Sequence, residues 1–185
     1  MNLLMYLLFT PILACSISQV LKSIFNLMFE KRKFKIGNLV ADGNYPSSHT
    51  AFVTSITAIF WFNTISKWVT YGNAEIWIWC SIAITMLWLI VIRDALGMRY
   101  TVQKLCEAVT EIAKDTDVAE EIQKKLDIKS GHRPHEVIAG GILGLLIATY
   151  TSCIYYGWMT LMILIMVLFV VYIGISMLIL KNKRK

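Results

Sequence analysis

A chain of 185 residues that is 57% hydrophobic and 16% charged, with mean hydropathy +0.60, is more apolar than a soluble domain of that length usually is. Its formal net charge of +6, read against so apolar a background, points to membrane topology and anionic headgroups rather than nucleic acid. The expectation is an all-α single domain over residues 1–185. It is a polytopic membrane helix bundle of about five transmembrane helices with one cytoplasmic amphipathic helical segment.

Taken in chain order, the first apolar stretch covers about residues 3–29 and is interrupted by Lys22. Ile12-Leu13-Ala14-Cys15 loosely resembles a lipoprotein cleavage box. No basic residue precedes it, however, and the apolar run continues past Cys15, so a retained span is expected. A lysine at membrane depth needs an anion, which makes Lys22 a phosphate-binding candidate, with Gln19 on nearly the same helix face. Lys31, Arg32, Lys33 and Lys35 follow.

Pro46-Ser47-Ser48-His49 opens the second span, about residues 47–66. Pro46 cannot continue a helix, and Ser47 or Ser48 is a good N-cap. Backbone N–H groups at that helix start, with the positive end of its dipole, suit a bound phosphate, and His49 lies in the first turn beside it. An ordinary cap with an interfacial histidine explains the tetrapeptide equally well.

The third span, about residues 75–92, ends at Arg93-Asp94, with Arg99 shortly after. Arg93, Arg99 and Arg133 offer the donor forks a phosphate requires, though each alone also fits a snorkelling anchor. The insert at about 98–131 repeats Val102, Leu105, Cys106, Val109, Ile112 and Ala113 at helical spacing. That pattern predicts an amphipathic helix packed on the bundle end or lying on the membrane surface.

Gly131-His132-Arg133-Pro134-His135-Glu136-Val137 then leads into the fourth span, about 136–155. His132 and Glu136 are four apart, so on a helix the carboxylate can accept the imidazole Nδ1–H and leave Nε2 free as a nucleophile. Alternatively Pro134 starts the helix and His132 stands just ahead of it, with Glu136 favouring the helix N-terminus. The uncharged run from Val137 to Leu180 is too long for one crossing. Tyr155-Tyr156-Gly157-Trp158 predicts a tight interfacial turn into a fifth span, about 158–180. Cys15, Cys80, Cys106 and Cys153 have no metal-ligand spacing, and neither metal nor cofactor is expected.

In a five-span arrangement, 16 of the 18 lysines and arginines fall on one side. The positive-inside rule makes that side cytoplasmic, with the N-terminus outside and the C-terminus inside, in a bacterial plasma membrane.

Pro46-Ser47-Ser48-His49 together with His132-x-Pro134-x-Glu136-Val137-x-Ala139-Gly140 resembles the type-2 phosphatidic-acid phosphatase and vanadium haloperoxidase superfamily. Gln19-x-x-Lys22 and Arg93-Asp94-Ala95-x-Gly97-x-Arg99 point to its divergent branch of small bacterial and plant membrane proteins. The resemblance spans about residues 10–150. It implies a metal-independent phosphatase acting on a lipid phosphate or diphosphate through a phosphohistidine at the cytoplasmic face. His132 would attack phosphorus, Glu136 orient it and His49 protonate the leaving oxygen. Lys22, Ser47, Ser48, Arg93, Arg99 and Arg133 would bind the phosphoryl group. The partner is a phosphorylated membrane lipid.

Three positions depart from the pattern. Ser48 stands where the superfamily has Gly, Leu126 where it has Arg six residues before the nucleophile, and Gly43-Asn44-Tyr45 where the branch has Gly-Gly-Met. The Leu126 departure supports a second reading, a non-catalytic membrane protein that binds phosphorylated lipid or a protein partner in a retained phosphate cradle.

Overall fold

The computed structural model describes residues 2–30, 45–114 and 134–182, and every regular element among them is helical. Helix α1 spans Leu3–Phe25 and is followed by a π-helical turn, Asn26–Glu30. Helices α2 (Ser48–Tyr71) and α3 (Glu75–Arg93) come next, then a second π-helical turn, Asp94–Met98, and α4 (Arg99–Ala113). Helices α5 (Pro134–Tyr156) and α6 (Met159–Asn182) complete the described chain.

The helix ends follow local chemistry. Asn2 caps α1 by accepting the Met5 N–H at 2.8 Å, as short polar side chains do for the orphan donors of a first turn. Helix α2 stops at Gly72, whose φ of +66° sends its N–H back to the Trp68 carbonyl. Pro134 opens α5, where its missing N–H costs nothing. The predicted aromatic turn falls where α5 ends: Gly157 takes φ +77° and Trp158 donates to the Cys153 carbonyl at 2.8 Å.

Among the described residues, four helical stretches are long and apolar enough to cross a bilayer: Leu3–Met28, Glu75–Gly97, Pro134–Tyr156 and Thr160–Lys181. These make the chain a membrane protein. The remaining long helix, α2, has 24 residues but carries Thr54, Thr57, Asn63 and Thr64 and is less apolar. Its position accounts for that composition, because α2 packs against α1, α3 and α5. Polar groups are tolerated between helices when they find partners there. Thr64 bonds Ser81 at 2.8 Å, Trp61 reaches Thr85 at 3.0 Å, and Trp88 reaches Thr54 at 2.9 Å. Asn63 donates to the Ile59 carbonyl and accepts from Tyr156.

These contacts also fix direction. Pairing of Thr54 with Trp88 and of Thr64 with Ser81 makes α3 antiparallel to α2. Tyr6 to Ser152 (2.6 Å) and Thr10 to Thr151 (3.0 Å) make α1 antiparallel to α5, while α2 and α5 start side by side. The end of α1, the start of α2, the end of α3 and the start of α5 therefore share one end of the bundle.

Helix α4 keeps Leu105 and Ile112 on its surface, 64% and 81% exposed, with Ala113 buried. The rest of the insert, residues 115–133, lies outside the described residues.

Candidate functional site

At that shared end, Ser47 links the two histidine motifs. Its N–H donates to the Glu136 carbonyl at 3.0 Å. As N-cap of α2 its hydroxyl oxygen accepts from Thr50 Oγ1 at 3.0 Å and from the Thr50 N–H at 3.4 Å. Close helix contact makes the link possible. A methyl group at Gly140 would overlap the Ser47 carbonyl, and one at Gly144 would overlap the Ala51 carbonyl. Gly141 has more room, with its nearest neighbours at 3.8 Å. Small residues four apart thus let the backbones of α2 and α5 touch.

Ser48 is held from the other side. Ser18 of α1 donates to Ser48 Oγ at 3.1 Å and lies 3.4 Å from the Pro46 carbonyl. One turn further along α1, Lys22 is only 3% exposed. The α1–α5 pairing carries it to the level of the first turn of α5, where Glu136 is 8% exposed. A lysine and a carboxylate buried at one end of an apolar bundle carry a large desolvation cost, which makes this end the candidate site. Three residues before Lys22, the Gln19 amide oxygen is buried with no hydrogen-bond partner among the described residues.

His49 lies in the first turn of α2 and is exposed. Arg93 ends α3 and is exposed as well; the α2–α3 register brings it near the level of the α2 start. Arg99 opens α4. His132 and Arg133 lie outside the described residues, as does Leu126. Lys22, Ser47, Ser48, His49, Arg93 and Glu136 thus gather at one end of the bundle. Among the described residues, no group of three His, Cys, Asp or Glu is placed to hold a metal.

Three contributors carried no motif. Ser18 and Thr50 position the two serines, and Tyr45 stacks on His135 with ring centroids 6.2 Å apart. His135 Nε2 is in turn 4.0 Å from Glu136 Oε1. Burial holds the Tyr45 phenol above its ordinary pKa, opposed by its hydrogen bond to Ser176, so Tyr45 is neutral around pH 7. Ser18 had one legible signal: it lies four residues before Lys22 and hence on the same helix face.

Residues 4–147 match the divergent PAP2 family, which takes in α1 to α3, α4, the insert and most of α5. The chain belongs to that family. Every candidate residue lies within the matched region, and α6 lies beyond it. No curated protein and no solved structure matches the chain. Membership of the divergent PAP2 family makes this a PAP2-related membrane protein.

Proposed function

We propose that this divergent PAP2 protein is a metal-independent phosphatase of a lipid phosphate or diphosphate, working through a phosphohistidine at the cytoplasmic face. The observation that carries the reading is the Ser47–Glu136 backbone hydrogen bond. It ties the Ser-Ser-His helix start to the turn that follows His132 in sequence. Helix α2 is the fifth crossing in this proposal: at 24 residues it measures roughly 36 Å, against a hydrocarbon core of roughly 30 Å. It also runs the full height of its apolar neighbours. The amphipathic α4 lies at the cytoplasmic surface, on the positive-inside reading of the loops.

In the proposed reaction the His132 Nε2 lone pair attacks phosphorus, and the bond from phosphorus to the lipid oxygen breaks. His49 gives its proton to that oxygen. Water then attacks phosphorus and passes a proton to His49; the phosphorus–nitrogen bond breaks with its electron pair returning to His132 Nε2, which releases inorganic phosphate and restores both imidazoles. Glu136 holds the His132 ring by accepting its Nδ1–H. Lys22, Arg93, Arg99 and Arg133 neutralise the phosphoryl charge, with Ser47 and Ser48 donating hydroxyl protons. Transfer of this kind depends chiefly on positioning and electrostatics.

The test is phosphate release by detergent-purified protein, with EDTA present, from phosphatidate, phosphatidylglycerophosphate and prenyl phosphates and diphosphates. Release by the wild type, its loss in His132→Ala, and an acid-labile phosphoenzyme are the expected results. Absence of release from every substrate overturns the catalytic reading. Leu126 favours the second reading, a lipid-phosphate binder. Binding that survives His132→Ala, with no turnover in either protein, would establish it.

A further inference from the structure

Helix α6 lies outside the family match, yet with α5 it encloses a groove of about 380 Å³. The groove starts at Tyr45 and His135, at the candidate-site end, and runs down to Leu146 and Leu168. From His135 to Leu146 is roughly 16 Å along a helix, and one leaflet of a hydrocarbon core is roughly 15 Å deep. The groove is therefore as deep as one leaflet. Below it, and sharing Leu146, lies a second apolar cavity of about 270 Å³ against α1.

The walls are apolar apart from a group of hydroxyls near the site end. Tyr45 and Ser176 bond each other at 2.8 Å. Tyr172, one turn deeper on α6, is 6% exposed, and its hydroxyl is buried beside theirs without a well-formed hydrogen bond among the described residues. A buried hydroxyl in that state has capacity left to donate to an acceptor in the groove. Ile142, Val171 and Ile175 are about half exposed, which leaves the groove open sideways to the bilayer.

We propose that this groove binds one ester-linked acyl chain of a phosphorylated glycerolipid, with the Tyr172 hydroxyl donating to the ester carbonyl. The chain follows α5 down to Leu146, and the phosphate end reaches the first turns of α2 and α5. That last placement rests on the proposed phosphatase site; the acyl-chain site does not. A glycerolipid places an ester carbonyl a short distance below its phosphate, which is where Tyr172 lies relative to the site end. A prenyl chain has no such acceptor, so the hydroxyl favours acyl lipids over prenyl ones.

The test uses full-length protein in phosphatidylcholine nanodiscs containing a small fraction of phosphatidate with a mid-chain diazirine. After photolysis, cross-linked peptides are mapped by mass spectrometry. Cross-links should concentrate in residues 138–146 and 168–179, be competed by excess phosphatidate, and resist the same excess of a prenyl phosphate. Tyr172→Phe should lower them several-fold, and Ile142→Trp, which fills the groove and leaves Tyr172 in place, should abolish them. Labelling spread over the outer faces of α3 and α6 in proportion to exposure overturns the proposal, as do equal competition by prenyl phosphate or an unchanged Tyr172→Phe. Cross-linking needs no turnover. A protein that passes this test but releases no phosphate refutes the catalytic reading alone.

Discussion

The contact between α2 and α5 can be tested with two adjacent glycines. Gly140 faces the Ser47 carbonyl so closely that a Cβ there overlaps it, and Thr50 Cβ lies 3.1 Å from the same point. The obstacle is backbone, which cannot turn aside as a side chain can. Helix α2 must therefore retreat by on the order of 1 Å to accept one methyl group, a strain of about 1–3 kcal/mol by analogy with overpacked cores. The same retreat stretches the 3.0 Å Ser47–Glu136 hydrogen bond beyond useful length, with a net loss of about 0.5–1.5 kcal/mol. Gly140→Ala should thus cost about 1.5–4.5 kcal/mol, less up to about 1 kcal/mol regained through helix propensity. At Gly141 the nearest atoms stand off at 3.8 Å. There Gly141→Ala should be neutral, or stabilising by up to about 1 kcal/mol through helix propensity. The assay is loss of helical circular dichroism as SDS is titrated into the detergent-purified proteins. Equal effects at the two positions, or a harmless Gly140→Ala, would refute the close approach and with it the link between the two motifs.

Two further outcomes separate the site end from the rest of the bundle. Lys22→Met keeps the length and apolar stem of the side chain, so the fold should persist while kcat/KM for phosphate release falls about 10²–10³-fold; unchanged turnover would remove Lys22 from the site. Tyr6 donates to Ser152, whose own proton goes to the Ala148 carbonyl, roughly 24 Å along α1 from Lys22. Tyr6→Phe should accordingly lower stability by about 0.5–1.5 kcal/mol in the same SDS titration and leave phosphate release intact.

Much of this molecule could be read from its residues in order. Helical class, the apolar stretches, the Ser47 cap and the turn at Gly157 depend on hydrogen bonds within a few residues or on the length of an apolar run. Such properties are set by neighbours in the chain. The motifs around Lys22, Ser47, Arg93 and Glu136 were also legible, because ionisable and capping residues are conspicuous in an apolar background. Other features were not. Helix α2 looks too polar beside the other long helices until its contacts with α1, α3 and α5 supply partners for Asn63, Thr64 and Thr54. Nothing in Gly140-Gly141 says which glycine meets a backbone, since that depends on the rotation of α5 against α2. The buried Tyr172 hydroxyl beside Tyr45 and Ser176, and the groove they line, likewise exist only because α6 folds back along α5. Sequence determined which segments are helices and which residues are costly to bury. Tertiary packing alone decided which of those residues meet, because contacts between distant segments depend on how helices pack and rotate, which local hydrogen bonding does not specify.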